Sequence, residues 1–346
     1  MDAFTVIVGL AKTVVVFGAT LLLILFLIYA ERKIVAFMQV RIGPNRTGPK
    51  GLLQTLADGI KLFFKEQVVP SEAKQPIYTL APLLALLPPF VTLMVIPVGD
   101  RVEIGGRTVL LQGAEVGIGV LVALAMSSLA TYGVALAGWS SGSKYPLVGG
   151  IRASAQMISY ETGMALSLVP PVLSAGSLST RAIVEAQSGT WFGWLPKWFV
   201  FPHFVSFLVF MICAVAETNR APFDLVEAES ELVGGFNTEY SGIRFAMLML
   251  SEYAGMVAIS ALAVTVFLGG WNGPRLAFVG WLWPLLWFFV KLGLLIFAFI
   301  WIRATLPRFR YDQLMRFGWK LLIPIALVWL LVSAGLQAFV VARAGA

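Results

Sequence analysis

The sequence predicts an all-α polytopic membrane protein, with about eight transmembrane helices and an amphipathic interfacial helix in the first cytoplasmic loop. Three observations carry this. Hydrophobic residues make up 59% of the 346 and charged residues 12%, against about 25% charged in an ordinary globular domain. The apolar residues gather into stretches of about 20, the length a helix needs to cross a hydrocarbon core of about 30 Å. Lys and Arg are shared unevenly between alternate connections, as multi-pass topology requires. The chain is read as one membrane domain, 1–346.

The spans fall at about 4–30, 78–98, 114–139, 155–176, 203–218, 245–270, 281–304 and 321–342. The fifth is short and is expected to run on past Glu217. Pro82, Pro88, Pro89 and Pro97 in the second span, and Pro170 and Pro171 in the fourth, predict kinks or broken helix, because proline removes a donor and crowds the preceding turn. At membrane depth such irregularity needs cover from protein or a water-filled cavity. Sixteen Lys and Arg lie in connections 31–77, 140–154, 219–244 and 305–320, and five in the opposite set. The first set therefore faces the cytoplasm, or a matrix, and both termini face the other side. This asymmetry, rather than nucleic-acid binding, accounts for the net charge of +7. Trp191, Trp194 and Trp198 mark an aromatic belt on the outer side. No cleavable signal is evident: 4–30 exceeds a signal's apolar core, and Tyr29-Ala30-Glu31-Arg32-Lys33 is no small-residue cleavage site.

The first connection, 31–77, is patterned. Gly43-Pro44-Asn45-Arg46-Thr47-Gly48-Pro49-Lys50-Gly51 is a run of turn formers. It imitates a phosphate loop only loosely: a proline precedes the lysine, no Ser or Thr follows it, and no apolar strand leads in. A helix over about 51–66 follows. Leu52, Leu53, Leu56, Ile60, Phe63 and Phe64 share one stripe, with Gln54, Asp58, Lys61 and Lys65 opposite. It is too short and too charged to span. It is expected to lie in the interface, where its apolar face would form the lip of an opening for an apolar ligand; packing on protein alone is the other reading.

Residues 217–244 hold six of the 18 acidic residues: Glu217, Asp224, Glu227, Glu229, Glu231 and Glu239. With Pro222 in a first helical turn, Asp224, Glu227 and Glu231 share a face, and Glu229 points elsewhere. A solvated acidic face docking a basic partner is the plain reading. Metal binding is not expected, because no His or Cys lies nearby and helical spacing is not that of a Ca loop. Four more charges matter: Glu161 in the fourth span, Glu217 at the end of the fifth, Glu252 in the sixth and Lys291 in the seventh. A charge in hydrocarbon must be paired, hydrated or neutralised. The carboxylates are candidates for a proton relay, with Lys291 as partner; a static buried ion pair is the alternative. His203 and Cys213 read as structural. A single Cys and a single His exclude an internal disulfide, a cysteine-ligated cluster and a bis-histidine haem within this chain.

Two stretches carry a family likeness. One runs from Ala30-Glu31-Arg32-Lys33 through Gln39-Val40-Arg41-Ile42-Gly43-Pro44-Asn45-Arg46 to Asp58-Gly59-Ile60-Lys61-Leu62. The other runs from Ala216-Glu217-Thr218-Asn219-Arg220-Ala221-Pro222-Phe223-Asp224 through Glu227, Glu231-Leu232 and Gly235-Phe236-Asn237 to Tyr240. Together they closely resemble the H-subunit family of NADH-quinone oxidoreductases, the counterparts of mitochondrial NADH dehydrogenase subunit 1 in respiratory complex I. The resemblance implies a membrane component at the junction with the hydrophilic arm, whose first span, sixth span and interfacial helix frame the quinone entrance. It places Arg32, Arg41, Arg46, Asp58, Lys61 and Phe64 on the quinone tunnel or its mouth. It makes Glu217, Asp224, Glu227, Glu229 and Glu231 an acidic funnel, continued into the bilayer by Glu161 and Glu252. It further implies ubiquinone as substrate and no cofactor on this chain, with FMN and iron–sulfur clusters on partner subunits. The partners would be the other membrane-arm subunits and the quinone-site hydrophilic subunits. The long outer loops favour a bacterial inner membrane over a mitochondrial one. A related hydrogenase or formate-oxidising complex shares this type of component. A stand-alone ion carrier would call for inverted repeats, which the sequence does not display. A purely structural membrane anchor would leave Glu161, Glu252 and Lys291 unexplained.

Overall fold

A computed structural model describes residues 3–344 except 105, 192, 194, 225–232 and 275–281. The chain begins with α1 (Ala3–Met38), whose 36 residues carry it well beyond the last apolar residue of the first expected span. Its outward side chains, among them Val14, Leu22 and Phe26, are exposed, while Ile24, Leu27, Glu31 and Ala36 form a buried seam. The amphipathic α2 (Gln54–Phe64) follows, then α3 (Gln75–Met94). A hairpin of β1 (Arg101–Ile104) and β2 (Arg107–Leu110) leads to α4 (Gly119–Ser140) and α5 (Lys144–Ala175). The short α6 (Thr180–Ala186) and a second small hairpin, β3 (Thr190–Trp191) with β4 (Leu195–Pro196), precede α7 (Phe204–Glu217). The chain closes with α8 (Gly242–Phe267), α9 (Trp283–Thr305), α10 (Tyr311–Phe317), a π turn over Gly318–Leu322 and α11 (Ile323–Ala344).

Among the described residues, six helices are long and apolar enough to cross a membrane: α1, α3, α4, α8, α9 and the α10–α11 unit. Helix α5 is long but carries Arg152, Gln156 and Glu161, and α7 is apolar but only 14 residues long. Two boundaries differ from the sequence expectation for a physical reason. Helix α5 starts at Lys144 rather than near 155, because small residues let it pack at backbone distance: a Cβ on Gly138 would lie 2.5 Å from the Pro146 carbonyl oxygen, and one on Gly149 2.8 Å from Gly235 Cα. Helix α7 stops at Glu217 instead of running on, since Asn219 adopts a left-handed conformation (φ 49°) that breaks the helical path.

Helix α3 is not broken at Pro82, Pro88 or Pro89, nor α5 at Pro170 and Pro171. The proline stretch of α3 is covered by α4: Gly133 sits so close that a Cβ there would collide with the Ala85 backbone nitrogen. Protein cover of this kind is what makes missing helix bonds tolerable at membrane depth. The main core joins α4, α5, α7, α8 and α9 around Tyr160, Phe210, Phe267 and Phe288.

The connections expected on the outer side bind one another. Arg181 pairs with Glu185 (2.9 Å) and Asp100 (3.4 Å) and lies over Trp271, while Asn272 Nδ2 donates to Val184 O at 2.7 Å. Connections expected on the inner side do likewise: Val68 N donates to Ser241 Oγ at 2.9 Å, and Tyr78 OH to Glu239 O at 2.7 Å.

Candidate functional site

The site grows from the inner end of α1. Lys33 Nζ donates to Pro44 O (3.0 Å) and Tyr29 OH to Lys50 O (2.9 Å), which folds the turn-rich stretch back onto the helix that precedes it. Gly51 must be glycine, because its φ is +80° and a Cβ would collide with Pro44 O. Arg32 then reaches Asp58 at 2.5 Å, and Gln54 Nε2 donates to the same carboxylate at 2.9 Å. Burial alone would favour the neutral form of Asp58, but the bonds from Arg32 and Gln54 and the charges of Arg32 and Lys61 outweigh it. They hold the carboxyl below its ordinary value of 3.8. Helix α2 is thereby tied to α1 by its polar face, while Leu52, Leu53, Leu56, Ile60, Phe63 and Phe64 are all exposed. An exposed apolar stripe beside membrane-crossing helices is what an interfacial helix presents to lipid.

Beside this helix an open cleft of about 810 Å³ is lined by Glu31, Arg32, Val35, Gln39, Arg41, Ile42, Gly43, Pro44, Tyr253, Arg303 and Ala304. Its floor is a buried charge cluster. Glu31, only 5% exposed, pairs with Arg220 at 3.3 Å and with Arg303. The Arg220 guanidinium lies 4.1 Å over the Tyr253 ring, a favourable cation–π placement. Of the expected entrance residues, Arg32 and Arg41 line the cleft and Asp58 joins it through Arg32. Arg46, Lys61 and Phe64 stand on exposed surface away from its lining.

Arg220 arrives there on a tight turn. Gln156 of α5, itself 1% exposed, donates through Nε2 to Ala216 O (2.7 Å), Phe223 O (3.0 Å) and Asn219 Oδ1 (3.2 Å). Phe223 stacks on Phe309 and leans on Tyr160, and Asp224 pairs with Arg308 at 3.3 Å. Glu227, Glu229 and Glu231 lie outside the described residues. The chain returns at Gly235–Asn237 and is anchored by Tyr240, whose ring stacks on Tyr78 at 4.1 Å. Burial pushes the Tyr240 hydroxyl up to about 12, so it stays protonated at neutral pH and can donate to Tyr78 O at 3.3 Å.

Behind the turn, a narrow cavity of about 80 Å³ runs between α3, α4, α5, α7 and α8. Glu217, Glu252, Thr92, Ser127, Thr218, Asn219 and Ser251 supply its polar lining. Glu217 accepts from Ser127, and Glu161 accepts from the next residue, Ser128. The structure thus brings Glu161 and Glu217 to α4 and sets Glu252 on the cavity that Glu217 lines. Lys291 is not brought to them: its ammonium donates to Leu268 O (2.6 Å), Gly270 O (2.9 Å) and Asn272 O (2.6 Å) and lies 4.2 Å over the Trp198 ring. There it satisfies carbonyls just past the end of α8.

A family model described as NADH dehydrogenase matches residues 11–334. The H subunit of the NADH-quinone oxidoreductase of Frankia alni is 53% identical over 335 residues, covering 95% of this chain and 73% of that protein. The chain belongs to the H-subunit family of NADH-quinone oxidoreductases. The relative of the same name from Streptomyces avermitilis is 50% identical over 333 residues, 93% of this chain and 72% of its own. Family membership and the six membrane-crossing helices make this a multi-pass membrane subunit.

Sequence reasoning missed Glu31, Arg220, Arg303, Gln156 and the two serines as parts of the site. Arg303 carried a signal, a charge inside an apolar span, and Glu31 carried another, an acid among the basic residues at a span's inner end. Nothing in the local pattern around Gln156, Ser127 or Ser128 separates them from ordinary polar residues on a helix.

Proposed function

We propose that this chain, as a membrane subunit of the proton-translocating NADH:quinone oxidoreductase, complex I, admits quinone from the bilayer through the cleft beside α2. In this reading it also passes the charge change of quinone reduction to the carboxylates around α4. One observation carries it. Two short segments each serve both places: Glu217 and Arg220 lie on one turn, and Glu252 and Tyr253 are neighbours on α8. In each, the glutamate lines the inner cavity while its partner sits at the cleft. A change in charge at the cleft is therefore mechanically and electrostatically adjacent to the carboxylates.

The chemistry asks little of this chain beyond placement. Reducing a quinone takes two electrons and two protons. With one Cys and one His, the chain relies on partner subunits for electrons, through the FMN and iron–sulfur clusters such partners would carry. Its own part is to seat the apolar tail along the exposed face of α2, to present Arg32, Arg41 and Arg303 to the polar head, and to absorb the charge change through the Glu31–Arg220–Arg303 cluster. Asp224, Glu227, Glu229 and Glu231 would act as the funnel between this cluster and the cytoplasm. Charge asymmetry supports a cleft on the cytoplasmic side, with both termini on the opposite side, and the long outer loops favour a bacterial inner membrane, where that side is the periplasm. The partners in this reading are the remaining membrane-arm subunits and the hydrophilic subunits that complete the quinone site.

Photolabelling of the intact complex in its membrane with a quinone analogue, followed by peptide mapping, tests the entrance. Labels on 31–66 and around Tyr253 are expected. Labels confined to partner subunits would remove the cleft from the quinone path.

A further inference from the structure

Successive residues on a helix point about 100° apart, so two consecutive serines can address two different neighbours. Ser127 and Ser128 of α4 do so: Ser127 Oγ donates to Glu217 on α7 and Ser128 Oγ to Glu161 on α5. A serine in a helix interior ordinarily bonds back to the carbonyl one turn earlier. Ser128 keeps that second acceptor as well, with Leu124 O at 3.3 Å.

This gives the hydroxyl two resting positions. A serine has one proton to donate and two lone pairs. When Glu161 is ionised, the Ser128 O–H donates to the carboxylate. When Glu161 is protonated, the carboxylic O–H donates to Ser128 Oγ, and the serine proton turns to Leu124 O. No bond of the serine breaks and its proton count does not change. The carboxyl group stays hydrogen-bonded in both states, which an alanine would not allow.

We propose that Ser127 and Ser128 are the positioning residues that hold Glu217 and Glu161 in place through both protonation states, so that a proton can leave one carboxyl and reach the other without either swinging away. The inference rests on the reading of these carboxylates as the coupling path and adds to it two residues that reading does not contain. The hydroxyls are not what packs α4. Its contact with α3 is made at Gly133 against Ala85, and with α5 at Gly138 against Pro146 and Gly150.

The test uses the whole complex reconstituted in vesicles, reading NADH oxidation with quinone and proton uptake into the vesicle together. Ser127→Ala and Ser128→Ala are expected to assemble and to lower proton translocation about tenfold, the scale set by one lost hydrogen bond to a charged group. Ser→Thr at either position keeps a hydroxyl and is expected to restore translocation, which a merely steric role would not predict. Ser→Cys fills the space with a weak donor and is expected to behave like alanine, so it decides the matter if an alanine variant fails to assemble. Glu217→Gln is the control. If it translocates normally, the coupling reading itself falls. If it abolishes translocation while the assembled alanine or cysteine variants pump as the parent does, the serine assignment is overturned and the coupling reading stands.

Discussion

Replacing Gln156 with leucine tests how the turn that carries Arg220 is held. The substitution preserves bulk in a site that is 1% exposed and removes every donor the side chain supplies. Three acceptors are affected unequally. Ala216 O keeps Asn219 N as a donor at 3.3 Å, so its loss is partial. Phe223 O and Asn219 Oδ1, bonded to Gln156 at 3.0 and 3.2 Å, have no other donor among the described residues. A buried acceptor left unsatisfied costs about 1–3 kcal/mol, so two of them amount to roughly 2–6 kcal/mol. That energy falls on the turn, and through it on the Glu31–Arg220 pair. The variant complex should lose activity at a temperature several degrees lower. Its quinone KM should rise while its rate with a soluble electron acceptor, which bypasses the membrane, stays unchanged. Gln156→Glu removes the same donors and adds a charge, and should be at least as damaging. Unaltered heat inactivation and unaltered quinone KM in Gln156→Leu would show that the turn is held by something else.

Other outcomes follow from the same geometry. Glu31→Gln removes the carboxylate that Arg220, 6% exposed, and Arg303 both pair with, leaves two guanidinium groups close together, and should weaken the assembled complex by about 3 kcal/mol or more, the scale for breaking a buried pair; detergent-induced dissociation reads it. Lys291→Met removes the donor shared by three carbonyls past α8 and should lower thermal stability by about 2–3 kcal/mol, measured by the melting of the intact complex. The Arg32–Asp58 bond has a depressed carboxyl, so its contribution is complete above the ordinary value of 3.8 and fades only as pH falls through the lower folded value. Quinone reduction should show no Asp58 step between about pH 6 and 9, and Asp58→Asn should cost less than about 1 kcal/mol given the exposure of both partners, as read by limited proteolysis of 31–77. Glu227→Gln should leave the complex assembled but block or uncouple turnover, seen respectively as lost NADH oxidation or as NADH oxidation without proton uptake.

Much of this architecture is legible from composition and period alone, because long apolar runs and the stripe of α2 are one-dimensional signals. The extra turns of α5 were not, since they depend on Gly149 meeting Gly235 across the bundle, a contact that no local window contains, as well as on Gly138 packing against Pro146 and Gly150. The early stop of α7 was missed for a related reason: hydropathy continues to Ala216, but Gln156, some sixty positions earlier, captures the backbone just beyond. Within the site, Glu161, Glu217 and Glu252 were legible as charges out of place, and their placement at α4 and the cavity it lines follows from the packing. Lys291 carried the same kind of signal, yet its charge is used to satisfy the end of a helix. A misplaced charge identifies a demand for a partner, and only the fold says whether that partner is another charge or a set of carbonyls.

The brevity of α7 changes the thickness of the barrier at this point. Its 14 residues reach about 21 Å at 1.5 Å each, roughly 9 Å less than the hydrocarbon core. The irregular backbone from Thr218 to Asp224 fills the difference, lined with amide dipoles and bonded to Gln156, Glu31 and Arg308. Polar material thus penetrates by about a third of the core at the Glu217 end of α7. The insulating layer beside Glu217 is thinned by that amount.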